Sequence, residues 1–169
     1  MNTAYWSANH REPAEREELL LDEILKSRTG DDGYPGDPTA SPNWPGVAPG
    51  TRGILNALSG RYCDWSNIVA LEPKPPILWT HGSADVVIAD ASVFDLATLG
   101  KLGLVPGWPG EDVFPAQPMV TQIRTVLERY REAGGVVRME WFEGSGHFPP
   151  IDAAERWSAL FFEFLDSAG

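Results

Sequence analysis

Cysteine and histidine are both scarce in this sequence, which contains one cysteine, Cys63, and three histidines, His10, His81 and His147. A single cysteine excludes an internal disulfide bond, and no Cys/His spacing typical of a metal site is present. We therefore expect neither a metal ion nor another cofactor. Because histidines are so few, the position of each one is a useful guide to function.

Basic residues and long apolar runs are also few. The sequence has 13 basic against 24 acidic residues, a net charge of -11, and no cluster of lysine and arginine. This balance argues against a nucleic-acid partner. No apolar run approaches the roughly 20 residues that span a bilayer, and the first residues lack the basic and apolar regions of a signal peptide. We expect a cytoplasmic protein without a membrane span.

The first 70 residues contain no clear strand pattern. Helix signals mark 12–30, where acidic residues come early, Lys26 and Arg28 come late, and Gly30 follows. The segment 30–50 is too rich in glycine and proline for regular structure and predicts a long loop, and 51–62 predicts a short helix. Residues 1–70 are therefore expected to form a helical segment.

From residue 71 the pattern changes to that of an α/β protein. The apolar run 77–80 predicts a buried strand, 118–135 an amphipathic helix, and 136–142 an alternating strand with one face in water. A last helix is expected over 152–165, capped by Asp152. Its predicted buried face consists of Trp157, Leu160, Phe161, Phe164 and Leu165. A strand, a helix and a strand predict a parallel βαβ unit.

This unit brings two distant residues to one place. Asp85 lies in the turn after the first strand and His147 in the turn after the second, and both turns leave the carboxyl edge of the sheet, where open α/β sheets bind ligands. A carboxylate beside an imidazole fixes the tautomer and leaves the other nitrogen to act as a base. Asp90 is a second candidate for the acid. His81 is expected to have a structural role.

The same residues resemble a known family. The sequence PPILWTHGSADVV, followed by a helix and then FEGSGHFPP, resembles the carboxyl-terminal portion of the α/β-hydrolases. The resemblance covers about 72–169 and implies that Asp85 and His147 are the acid and the base of a Ser-Asp-His triad. It implies ester substrates most often, although epoxides, halides and carbon–carbon bonds are cleaved by similar proteins. It also implies that 1–70 is part of a helical cap and 71–169 part of the hydrolase core.

The segment at about 88–117 is expected to be a long, lid-like insertion in that core. It carries many apolar side chains, namely Phe94, Leu96, Leu99, Leu102, Leu104, Trp108 and Phe114. They either line a pocket for an apolar substrate or pack an accessory helix, expected near 94–102, onto the body. Trp108 and, beside the base, Phe148 are the candidate substrate-binding residues.

The nucleophile of such a triad is not found in the sequence. The G-x-S-x-G elbow between a strand and a helix is absent, and Cys63 has neither the glycines nor a preceding strand. Two strands also rarely form a stable open sheet. We therefore expect an incomplete α/β-hydrolase fold that is inactive alone and is completed by an N-terminal segment or by a homo-oligomer. The alternative is a non-catalytic hydrolase fragment that acts as a subunit or interaction module.

Overall fold

The computed structural model describes residues 4–168 and has a mixed α/β architecture. Along the chain the elements are α1 (Ala14–Leu25), β1 (Pro38–Ala40), β2 (Val47–Pro49), α2 (Ile54–Ala57), a 3-10 helix (Ser66–Ala70), β3 (Ile77–Gly82), α3 (Leu96–Lys101), α4 (Met119–Glu132), β4 (Val137–Phe142), α5 (Pro149–Asp152) and α6 (Ala154–Ala168). The predicted mixed α/β class with a parallel strand pair is thus confirmed.

The described residues pack into two compact units. One unit contains the described residues up to Arg11 together with Ser66–Val105 and everything from Pro115 onwards. The other contains Glu12–Trp65 and Pro106–Phe114. The boundaries of these units differ from a division at residue 70: the first described residues pack with Ser66–Val105, and residues 106–114 pack with Glu12–Trp65.

The βαβ unit forms where the sequence predicts it. β3 and β4 pair in parallel, with Ile77 opposite Val137 and Gly82 opposite Phe142. The connecting α4 buries Val120, Leu127 and Tyr130 along one face, as its apolar spacing indicates.

Several details of this unit differ from the prediction. The first four residues of β3 are half-buried rather than buried, because β4 is the only strand paired with β3 among residues 4–168. Burial along β4 does not alternate as predicted: its first four residues are half-buried, Trp141 is 40% exposed and Phe142 is buried. On the predicted buried face of the last helix Leu160 is buried, Trp157, Phe161 and Phe164 are half-buried, and Leu165 is 47% exposed.

The second unit contains a strand pair that the sequence pattern did not indicate. β1 and β2 form an antiparallel hairpin inside the Gly- and Pro-rich segment that was predicted to be a loop. Each strand has three residues, too few for an alternating pattern to show. The neighbouring helices are shorter than expected: α1 ends at Leu25 and α2 spans only four residues.

Hydrogen bonds from side chains hold the hairpin ends in place. The buried Asn56 amide donates to the carbonyl oxygens of Asp37 and Arg52, at 2.7 and 2.6 Å. The Asp37 carboxylate accepts hydrogen bonds from the backbone N–H groups of Thr51 and Arg52. By contrast, α1 has no buried side chain, and its Leu19, Leu21, Ile24 and Leu25 remain exposed.

Candidate active site

Backbone hydrogen bonds join the turn after β3 to the turn after β4. Ser83 N–H donates to the carbonyl oxygen of Phe142 at 3.0 Å, and Ala84 N–H donates to that of Ser145 at 2.9 Å. In the opposite direction, Gly144 N–H donates to the Ser83 hydroxyl at 2.8 Å. A Cβ at Gly82 would overlap the carbonyl oxygens of Ser145 and Gly146, so only glycine fits at the end of β3. The two turns therefore form one joined edge.

Asp85 is fixed on this edge by its own backbone surroundings. Its side chain is 3% exposed, and its Oδ1 accepts hydrogen bonds from the N–H groups of Val87 at 2.7 Å and Ile88 at 3.1 Å. This is the geometry of an aspartate that begins a tight turn. It leaves the second carboxylate oxygen, Oδ2, available for another partner.

His147 is that partner. Its Nδ1 lies 2.9 Å from Asp85 Oδ2, although the two residues are 62 positions apart. An ionised carboxylate only accepts hydrogen bonds, so in a neutral His147 paired with it Nδ1 is the donor and Nε2 the acceptor. The His147 side chain is 25% exposed. The pair can therefore take up a proton at Nε2 and stabilise the resulting imidazolium.

Aromatic rings surround the imidazole of His147. The Phe148 ring lies 4.8 Å away between centroids and is 40% exposed. The Tyr5 ring lies 6.0 Å from both His147 and Phe148. Phe148, predicted as a substrate contact, thus lies beside the base. Trp108 belongs to the other unit, where its indole N–H donates to the Phe114 carbonyl oxygen at 2.9 Å.

Asp90, the second candidate acid, has a different partner. Its carboxylate accepts hydrogen bonds from the N–H group of Thr121 at 2.9 Å and from the Thr121 hydroxyl at 2.6 Å, in the first turn of α4. These hydrogen bonds, led by that of the hydroxyl, hold the pKa of Asp90 below its usual value. Asp90 is therefore bound to the first turn of α4, and Asp85 is the acid that is paired with His147.

The sequence prediction missed a clamp formed by Asp152. The prediction that this residue caps the last helix is wrong. Asp152 Oδ2 accepts hydrogen bonds from Ser7 N–H and Gly146 N–H, both at 2.8 Å, and its Oδ1 accepts the Ser145 hydroxyl. The helix is interrupted at Ala153, so α5 and α6 do not form one continuous helix.

The Asp152 clamp brings the first described residues onto the turn that carries the base. Phe148 N–H donates to the Tyr5 carbonyl oxygen at 3.2 Å. A Cβ at Gly146 would lie 2.6 Å from the carbonyl carbon of Trp6, so the approach requires glycine. Residues 145 positions apart meet here, and no local spacing rule could have indicated the contact.

The serine hydroxyls on this edge are already bound to other groups. Ser145 donates to Asp152, Ser92 donates to the Val87 carbonyl oxygen at 2.5 Å, and Ser83 accepts from Gly144. Cys63 lies in the other unit, where its Sγ accepts from the indole of Trp65. None of these four groups has the arrangement of a nucleophile activated by His147.

Residues 4–168 contain neither a metal site nor a membrane-spanning helix. No group of three or more His, Cys, Asp or Glu side chains there could hold a metal ion. In the same part of the chain, every helix is too short or too polar to cross a bilayer.

The catalytic role of the Asp85–His147 pair and the α/β-hydrolase resemblance both stay predictions. Comparison with known proteins gives no match to a family model, to a curated protein or to a solved structure.

Proposed function

We propose that this chain is part of an α/β-hydrolase-type enzyme in which Asp85 and His147 are the acid and the base of the catalytic triad. The observation that carries the proposal is the 2.9 Å contact between Asp85 Oδ2 and His147 Nδ1. Burial of the carboxylate and the hydrogen bonds to its other oxygen hold it in one orientation. A carboxylate held in this way keeps the His147 imidazole in the orientation that a general base requires.

In the proposed mechanism, a serine outside these 169 residues supplies the nucleophile. His147 Nε2 takes the hydroxyl proton as the oxygen attacks the carbonyl carbon of an ester. The imidazolium, stabilised by Asp85, then returns the proton to the leaving alcohol, and an acyl-enzyme remains. Water next attacks the acyl carbon and loses a proton to His147, and the acid is released as the serine is reprotonated.

The proposed substrate is a small apolar ester. Phe148 and Tyr5 lie beside the imidazole and would form an apolar wall next to the reacting carbonyl group. Trp108 stays a candidate substrate-binding residue.

A second candidate function is that of a non-catalytic subunit or interaction module. It is favoured by one observation, the unpaired side of β3 within residues 4–168. An open strand edge can pair with another chain. In this case the Asp85–His147 pair would stabilise the two turns without taking part in a reaction.

The coding DNA upstream of Met1 separates the two candidates. A strand, a G-x-S-x-G sequence and a helix in the same reading frame would support the enzyme. A stop codon close upstream would support the subunit or interaction module.

Hydrolysis of a short-chain 4-nitrophenyl ester is the biochemical test. We expect the 169-residue chain alone to show only background rates. In an extended protein that contains the elbow, His147→Ala should lower kcat by about 10³-fold or more, since triad members act together. His10→Gln is the matched control and should leave kcat unchanged. If the 169-residue chain hydrolysed the ester and His147→Ala abolished this activity, the expectation that the nucleophile lies outside these residues would be wrong.

A further inference from the structure

A second imidazole lies beside Asp85 and has no role in the proposed mechanism. His81 Nδ1 is 3.8 Å from Asp85 Oδ2, the same oxygen that lies 2.9 Å from His147 Nδ1. The longer distance exceeds that of a hydrogen bond, so this contact is an ion pair only when His81 is protonated. Because backbone N–H groups occupy Oδ1, the single oxygen Oδ2 faces two imidazoles.

Two tryptophans hold His81 in an apolar environment. The Trp79 ring stacks on the imidazole at 5.3 Å with an angle of 7° between the planes, and the Trp141 ring packs edge-on at 5.1 Å. His81 is only 7% exposed. Burial against uncharged rings disfavours the imidazolium form.

The ionisable groups around His81 change its pKa in opposite directions. Burial is the main cause that lowers the pKa of His81, and the nearby His147 acts in the same direction. Asp85 and Asp90, both in the loop after β3, oppose this change without reversing it. The imidazole is therefore neutral at pH 7.

We infer that His81 is a positioning residue: an imidazole kept uncharged between Trp79 and Trp141, so that the Asp85 carboxylate pairs with His147 alone. A charged His81 would compete for Oδ2 and would repel the imidazolium that forms on His147. The tryptophans next to His81 thus act on the base indirectly, through the charge state of its neighbour.

The importance of this arrangement for catalysis rests on the proposed function, but the arrangement itself can be measured without turnover. NMR of the 169-residue chain with ¹⁵N-labelled histidine reports the charge and the tautomer of only three imidazoles. The signals are assigned with His10→Gln and His81→Gln. The proton on His147 Nδ1 that is bonded to Asp85 serves as the signature of the pair.

Trp141→Ala is the decisive variant because it opens His81 to water. We expect the pKa of His81 to rise towards its usual value, so that His81 becomes charged at a higher pH than in the original chain, and the His147 Nδ1 proton signal to weaken as it does. The double variant Trp141→Ala/His81→Gln should recover the signal, since glutamine cannot become charged. Trp65→Ala removes an exposed tryptophan in the other unit and should change neither imidazole.

Two results would overturn the inference. One is a His147 signal that does not change when His81 becomes charged, or that is lost equally in the double variant. The other comes from His81→Gln alone, which is expected to keep the signal: its loss would show that His81 supports the pair directly. An extended protein that lacks turnover would contradict the proposed function while leaving a measured coupling intact.

Discussion

At the scale of single residues, the site depends on how Asp85 divides its two oxygens between the backbone and His147. The pair itself could be predicted from the sequence, because two short turns follow two recognisable strands. The role of Asp90 could not be separated from that of Asp85 in the same way. The difference lies in the Thr121 hydroxyl, which is bonded to Asp90 and is 31 positions away.

We predict that Asp85→Asn changes the tautomer of His147. The asparagine carbonyl oxygen can keep the two backbone hydrogen bonds, so its amide N–H group would face Nδ1. Nδ1 would then become the acceptor, and Nε2 would carry the proton. In an extended, active protein kcat should fall by about 10⁴-fold, as expected for a base in the wrong tautomer.

The ¹⁵N shifts of the His147 ring measure this change directly in the 169-residue chain. Asp166→Asn, an exposed acid on α6, is the matched control and should leave the shifts unchanged. Unaltered shifts in Asp85→Asn would contradict the assignment of the acid.

At the scale of elements, the two sides of β3 are different. Ile77 N–H donates to the carbonyl oxygen of Val136, and Ser83 N–H donates to that of Phe142. The backbone N–H and C=O groups of the odd-numbered residues of β3 therefore point towards β4. The backbone groups of Leu78 and Thr80 face the other side, where no strand is paired among residues 4–168. These backbone groups could therefore form hydrogen bonds with a further strand.

We predict an alternating pattern of amide hydrogen exchange along β3. The amides of Trp79 and His81 should exchange slowly, and those of Leu78 and Thr80 faster, because only the first two are bonded to β4. NMR at low protein concentration measures the rates. Slower exchange of Leu78 and Thr80 at higher concentration would show that this side pairs between chains. Uniform protection at every concentration would contradict the open edge.

How much of each element the sequence predicts depends on its length and on where its contacts lie. The 14-residue α4 shows its apolar face in its own spacing, and β3 is marked by a continuous apolar run. The hairpin β1–β2 is only three residues on each side, and its support comes from Asn56 and Asp37, side chains outside the strands. The Asp152 clamp depends on a contact with residue 7, which local patterns do not report.

At the scale of the whole molecule, stability should depend on pH through the buried histidine. The pKa of His81 is lowered in the folded chain by burial, so between that pKa and about 6.5 the unfolded chain binds more protons than the folded one. The free energy of unfolding should therefore fall as the pH decreases through this window. The lowered pKa values of Asp37 and Asp90 act at more acidic pH, below the usual range of aspartate.

Urea unfolding at about pH 7.5 and about pH 5.5 tests this expectation. The original chain should lose stability between the two values, whereas His81→Gln should lose less, since its side chain does not titrate. His10→Gln should behave as the original chain does. An equal loss in His81→Gln and in the original chain would assign the dependence to other groups.

The Asp152 clamp also has a consequence for the order of folding. Its partners Ser7 and Gly146 are separated by most of the chain, and the entropy of closing so long a loop must be lost before the contact forms. The paired strands and α4 can assemble from contacts that are much closer in sequence. The contact of Tyr5 with the His147 ring should therefore form last, after Asp85 and His147 have paired.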